Sequence, residues 1–341
     1  MIDIKNFCMH TIDIENEIFL RKSFPSEKKD FSTYLNTLID EILLNEKGRA
    51  YSFLSDTEEV FSCINEILKG GDWEHFSEKI AEKLNRCELE KQKKVSGITT
   101  LKKGNLIQVI GEKDDKIICV LTKVENDPYI NEDSLDLSSG LPLKKNRVQK
   151  SCYIEFDKSL LFVEMILSDS VPRISEYWYS SFLAAAPVTE SQENTKKAYL
   201  AIDDLLRRKI KSKSDTDYWY LRNDLNSYFS NKEAFVFSEV IEIFNSYKAE
   251  NEEVKEYLPS FIEDLKVLPK VKKFDTQFDL DTKDISARLK RKIILDPNIE
   301  LRITGGIADI KNKIIPDKDE KGEFIKIYSK EGYNAFYNGT L

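Results

Sequence analysis

The 341-residue chain is 41% apolar and 11% aromatic, enough to fill folded cores and too rich for wholesale disorder. Its length exceeds what one hydrophobic core usually supports, so two domains are the default. The formal charge is −8, yet residues 266–330 hold 16 Lys/Arg against 11 Asp/Glu, a local +5 that hints at an anionic partner for one part of the molecule. No apolar run approaches the ~20 residues of a membrane span. Met1-Ile2-Asp3-Ile4-Lys5-Asn6 carries no secretory signal, so a soluble, cytoplasmic protein without membrane contact is expected. Cys8, Cys63, Cys87, Cys119 and Cys152 form an odd, scattered set with no C-x-x-C pair, which reads as buried free thiols in a reducing compartment.

Residues 3–20 alternate loosely and read as one or two opening strands with Ile12, Ile14, Ile18 and Leu20 on the apolar side. Phe31, Tyr34, Leu35, Leu38, Ile39 and Ile42 recur at helical spacing behind Asp30 or Ser32 as N-cap, and the helix ends before Gly48. A second helix runs from Asp56 as cap through Val60, Phe61, Ile64, Ile67 and Leu68 to Gly70-Gly71; a third spans about Trp73 to Lys91. After Gly97 the period changes. Leu106–Ile110 and Ile117–Leu121 predict a hairpin with a polar loop at 111–116. Residues 126–147, rich in Asn, Asp, Ser, Gly and Pro, read as a long surface loop, and strands at Cys152–Phe156 and Leu160–Leu167 close the domain.

From Arg173 the pattern is mainly helical: Ile174–Ala185, 191–213, 217–229, 234–249 and 252–265. Strands return only in the tail, where Lys290-Arg291-Lys292-Ile293-Ile294-Leu295 and Ile299–Ile303 are hinged on Asp296-Pro297-Asn298. The expected fold is therefore α+β: a mixed sheet-and-helix domain over 1–172, then a mainly helical domain over 173–341 ending in a small basic β-structure.

The chemistry-bearing patterns are mostly excluded. Two histidines, His10 and His75, lie in segments unsuited to a shared site, which removes His-rich metal sites and most His-based acid–base schemes. Gly97 to Gly104 fails the phosphate-loop spacing, because Asn105 stands where lysine must be, and Gly305-Gly306 precedes no G-x-x-G helix. A carboxylate–metal nuclease built on Glu155, Asp157 and Glu164 is the one remaining enzymatic reading, and no lysine follows Glu164 at the x-Lys spacing. No cofactor, no metal and no catalytic residue is expected.

Phosphate contacts need clustered flexible cations rather than a fixed motif. The first candidates are Arg288, Lys290, Arg291 and Lys292; next come Lys144, Lys145 and Arg147 with Lys150, then Arg207, Arg208, Lys209 and Lys211. Lys270, Lys272 and Lys273 form a further cluster, and Tyr218-Trp219-Tyr220 is either a base-stacking patch or core. The aromatics crowding residues 177–247, among them Trp178, Trp219 and Phe229, suggest a homodimer interface.

Taken in order, several segments resemble the bacterial nucleoid-associated protein family known as NdpA-like or YejK-like. They are Ile2-Asp3-Ile4 leading to His10, Ile80–Leu84, Gly104–Ile107 through Val120–Val124, Val148-Gln149-Lys150, and the aromatic run Tyr177–Leu183. Asn312–Asp317 with Phe324–Ile327 resembles the family's closing hairpin, whereas the 126–147 segment is longer than the family pattern. The resemblance implies a nucleoid DNA-binding protein with double-stranded DNA as partner, no known catalytic reaction, and a link to a type II topoisomerase. The acidic remainder opposes DNA over a Debye length of about 8 Å. Binding is therefore expected through an oriented basic face, unless the acidic surface itself docks on a partner enzyme.

Overall fold

Apolar residues on alternate faces of successive strands build the first unit around an antiparallel sheet. The structure, a computed structural model, describes residues 2–23, 29–43, 47–97, 101, 103–143 and 148–338. These divide into two units, residues 1–190 with 275–279, and residues 191–274 with 280–341.

In the first unit the chain runs β1 (Asp3–Asp13), β2 (Ile18–Arg21), α1 (Lys29–Leu43), β3 (Arg49–Phe53), α2 (Glu59–Leu68) and α3 (Trp73–Val95). It continues through β4 (Gly104–Lys113), β5 (Lys116–Glu125), β6 (Asp127–Ile130), β7 (Leu137–Gly140), β8 (Val148–Phe156), β9 (Phe162–Asp169) and β10 (Ala185–Pro187). Eight strands form one sheet in the order β10-β3-β9-β8-β5-β4-β1-β2, each pair antiparallel. An antiparallel sheet commonly leaves one face wet, but here both faces are covered at the centre. Leu106, Ile110, Cys119 and Leu121 face a core shared with α2, α3 and the Tyr177–Phe182 turn. Ile107, Val109, Ile118 and Val120 face a second core under α1. That explains why eight successive residues of β4 are buried, Gly104 to Gly111.

The second unit is helical, with α4 (Ser191–Lys209), α5 (Asp215–Asn231), α6 (Phe237–Asn245), α7 (Glu252–Lys266) and α8 (Leu268–Lys272). Two hairpins follow, Arg291–Asp296 with Ile299–Ile303 and Ile314–Asp319 with Gly322–Ile327, then the C-terminal helix Lys330–Asn338. The α+β class stands as expected, with a large sheet first and helices and small hairpins after it.

Several local expectations are corrected. Ile18 and Leu20 are exposed, because β2 is the outer strand of the sheet. Arg49–Phe53 forms a strand that no sequence pattern announces; its five residues are too few for a visible alternation, and it is recruited by β9 and β10 on either side. The cap of α2 is Glu58 rather than Asp56, and its side chain makes no cap bond. Residues 127–140 form the hairpin β6–β7 rather than an irregular loop, while Lys144–Arg147 lie outside the described residues. The helix expected over 174–185 reduces to one wide turn, Tyr177–Phe182, in which the Leu183 N–H donates to the Trp178 carbonyl at 3.2 Å. Ala184 then takes a left-handed φ of 49° and the chain leaves as β10. Of the helix expected over 234–249, only Phe237–Asn245 forms, since Ala234–Val236 is extended.

Candidate nucleic-acid interface

The second unit brings together two basic clusters that are eighty residues apart in the sequence. Ser214 caps α5, its hydroxyl accepting from the Asp217 N–H at 3.0 Å. Asp217 in turn accepts from the Tyr247 hydroxyl (2.7 Å) and from the Glu250 and Asn251 N–H groups (2.8 and 3.1 Å), which fixes the start of α5 against the α6–α7 link. Burial works against its charge, but these donors outweigh it and hold the Asp217 carboxyl below the usual carboxylate range. The first two turns of α5 then present Tyr218, Trp219 and Tyr220, each half-buried rather than sealed in a core.

Each ring has a cation over it. Lys211 Nζ lies 5.8 Å from the Tyr218 centroid, Arg291 Cζ 5.4 Å from Trp219, and Lys311 Nζ 4.6 Å from Tyr220 and 4.8 Å from Tyr247. Arg222, one helical turn beyond Tyr218, donates to Asp203 at 2.7 Å and to the Arg288 carbonyl at 3.5 Å. Burial, then the Arg222 charge, pulls the Arg291 guanidinium below its ordinary value. Trp219, Arg222, Leu289, Arg291, Ile303 and Gly305 line a small cleft beside these rings. Cations over aromatic faces are the arrangement that single bases or phosphates can exploit.

The hairpin reaches this position because of Gly306. A Cβ there would meet Ser227 N at 1.8 Å, so only glycine lets the segment pass the α5 backbone. Asn223 clamps the next residue, donating to the Ile307 carbonyl at 2.7 Å and accepting its N–H at 3.0 Å.

The other expected cations fare unevenly. Arg288 and Lys290 are exposed; Lys292 pairs with Glu300. Arg207 and Arg208 both bind Asp204 (2.8 and 2.9 Å), and Lys209 binds Asp264 at 2.9 Å. Lys150 is a correction. It lies in the first unit, buried, with its ammonium donating to Asp169 (2.7 Å) and Ser175 (2.8 Å), where it compensates a buried carboxylate and is out of reach of a phosphate. Lys144, Lys145 and Arg147 fall outside the described residues. Arg222 and Lys311 were missed by sequence reasoning. Arg222 carried a usable signal, three and four residues beyond Trp219 and Tyr218 on one helix face; Lys311 carried none.

The three carboxylates of the nuclease reading do not assemble. Glu155 is buried, accepting from Tyr153 (2.7 Å) and from Lys116. Glu164 stands opposite it in register, and burial followed by the Glu155 charge raises its carboxyl. Asp157 instead closes the β8–β9 turn, accepting the Ser159 and Leu161 N–H groups at 2.8 and 2.9 Å. Among the described residues no group of three or more His, Cys, Asp or Glu is placed to hold a metal ion, and no helix is long and apolar enough to cross a membrane.

Compared with family models, residues 9–321 match the one described as nucleoid-associated protein YejK. The chain belongs to that family. YejK-family membership supports a nucleoid DNA-binding role in coarse terms. None of the curated proteins compared with the chain matches it.

Proposed function

We propose that this protein binds double-stranded DNA without sequence specificity through the cation–aromatic face of its second unit, and does so without catalysing a reaction. The observation that carries the reading is the approach of Lys211 to the Tyr218 ring and of Arg291 to the Trp219 ring, with Arg222 lining the cleft beside Trp219. Many neighbouring cations already hold carboxylates, so binding exchanges surface ion pairs for phosphate contacts. Each such pair is worth only about 0–1 kcal/mol, which makes the exchange feasible and the affinity modest. Replacing Arg288, Lys290, Arg291 and Lys292 with alanine is expected to weaken binding equally on unrelated duplexes and to flatten the salt slope by several units. An unchanged filter-binding titration would refute the assignment. Supercoiled plasmid incubated with the protein and Mg²⁺ is expected to stay intact.

A second reading is that the acidic remainder docks on a basic surface of a type II topoisomerase or another nucleoid enzyme. Its support is the excess of Asp/Glu outside residues 266–330. A pull-down that survives both nuclease treatment and the 288–292 substitutions favours it over DNA.

Self-association into a two-fold dimer belongs to the same proposal, on a different ground from the aromatics of 177–247. Trp178, Phe182, Phe229, Phe235, Phe237 and Phe244 are buried within their units and cannot supply an interface. Many exposed apolar side chains of the second unit lie instead in the C-terminal hairpins and last helix, with Ile294 at 72%, Ile299 at 57% and Phe336 at 88%.

A further inference from the structure

The hairpin Arg291–Asp296/Ile299–Ile303 is a two-stranded sheet, and the outer edge of its second strand pairs with no other strand among the described residues. An open edge presents unpaired backbone groups to any extended chain. The strand itself reads Ile299-Glu300-Leu301-Arg302-Ile303, which is a palindrome when one charge is exchanged for its opposite. Laid antiparallel on a second copy about Leu301, it places Glu300 opposite Arg302 of the second copy, and Arg302 opposite Glu300 of the second copy. Leu301 then meets itself and Ile299 meets Ile303. Directly opposite residues share a face of the sheet with their Cβ atoms about 4.5–5.5 Å apart, so both charge pairs form.

Neighbouring registers are rejected by the same side chains. Alternating backbone groups allow the two-fold axis to move only by whole residues. A centre on Glu300 opposes two carboxylates, and a centre on Arg302 opposes two guanidinium groups. Each is a like-charge clash, so one register is selected and its neighbours are penalised.

We propose that this protein dimerises by antiparallel pairing of Ile299–Ile303 with the same strand of a second copy, centred on Leu301, to give a four-stranded sheet. This deepens the self-association proposed above and rests on it. Lys292 stands opposite Arg302 in the hairpin register, and Glu300 contacts both within one chain. The joined sheet therefore carries two Lys292–Glu300–Arg302 sets, a net positive face shared by both copies. Each copy also contributes Arg288, Lys290 and Arg291 at the sheet's outer margin. One duplex would then be met by two basic patches held by a rigid sheet, which raises avidity without any new kind of contact.

The test is charge reversal on the full chain, read by light scattering at micromolar concentration. The wild-type protein is expected near twice its 39.6 kDa mass. Glu300→Arg alone opposes four cations across the axis, and Arg302→Glu alone opposes four carboxylates; each is expected to run at the monomer mass. An equal mixture of the two single variants restores both attractive pairs and is expected to run as a dimer, as is the double variant. In addition, Leu301→Cys is expected to form a disulfide-linked dimer under mild oxidation, against a background of five buried native thiols. A wild-type monomer would overturn the dimer itself. Single variants that stay dimeric would leave the dimer standing but overturn this edge, and a mixture that stays monomeric, or a Leu301→Cys chain that does not cross-link, would overturn the register.

Discussion

Single residues decide how the site is held. Gly306 has no conformational requirement of its own, yet the 1.8 Å approach of an added Cβ to Ser227 N excludes every other residue. Gly306→Ala must displace backbone, an overpacking cost of about 1–3 kcal/mol. Gly305→Ala meets only the Ser230 side chain, at 3.1 Å to its hydroxyl, which can turn away. The first variant is expected to lower Tm by several degrees and the second to change it little; equal effects would show that the hairpin is not seated on α5. His10 gives the pH-sensitive residue. It is buried on β1, with Nε2 2.8 Å from Glu78 Oε2. Burial lowers its proton affinity below the ordinary 6.5, and Glu78 only partly opposes that. A depressed folded pKa means the unfolded chain binds the proton first. The stability it contributes is full above about 6.5 and falls away as pH drops toward the folded value. Thermal melts between pH 7.5 and 5 should therefore decline more steeply for wild type than for His10→Gln, and parallel curves would refute the assignment.

At the scale of elements, the hairpin β4–β5 and the meeting of α5 with the basic hairpin behave differently. Asp114 and Asp115 join β4 to β5 with left-handed φ of 49° and 64°, the two-residue turn whose twist matches its strands. Asp tolerates that region less well than glycine, so Asp115→Gly is expected to stabilise the fold by about 1 kcal/mol, read as a higher urea midpoint. A lower midpoint would mean that the Asp115 side chain does more for the turn than its backbone cost. At the interface, Arg291 and Trp219 come from different elements and touch. Residues in contact couple. A DNA-binding cycle of Arg291→Ala, Trp219→Ala and the double variant should therefore be non-additive by about 0.5–3 kcal/mol. Strict additivity would mean that the two bind DNA separately, or that one of them does not bind it.

For the whole molecule, two folding bodies near residue 172 remain the proposal for how the chain is divided, beside the grouping of residues 1–190 with 275–279. Limited proteolysis is expected to cut first within 126–147 or 187–195, and early cleavage confined to 57–90 would contradict it. The sequence by itself determined the α+β class, the helices α1, α3, α4, α5 and α7, the β4–β5 and C-terminal hairpins, and the family. The helices, the β4–β5 hairpin and the hairpin at 290–303 rest on local periodicity, turn residues and caps, which act between near neighbours in the chain; the family and the closing hairpin at 312–327 came from the resemblance. The sequence also named both halves of the candidate interface, Arg207–Lys211 and Arg288–Lys292, because clustered charge is visible without a fold. It could not place Lys150, whose ammonium is buried by Asp169 and Ser175, nor assign Arg49–Phe53 to a sheet, since both depend on partners more than fifteen residues away. It could not tell which aromatics of 177–247 are sealed in a core, as Trp178 and Phe229 are, and which stay half-exposed, as Trp219 does, because burial is a property of packing and not of composition. Only the tertiary structure decided that the two basic clusters meet at neighbouring rings of α5. That meeting depends on Gly306 passing the α5 backbone, a contact between residues seventy-nine positions apart that no local pattern encodes.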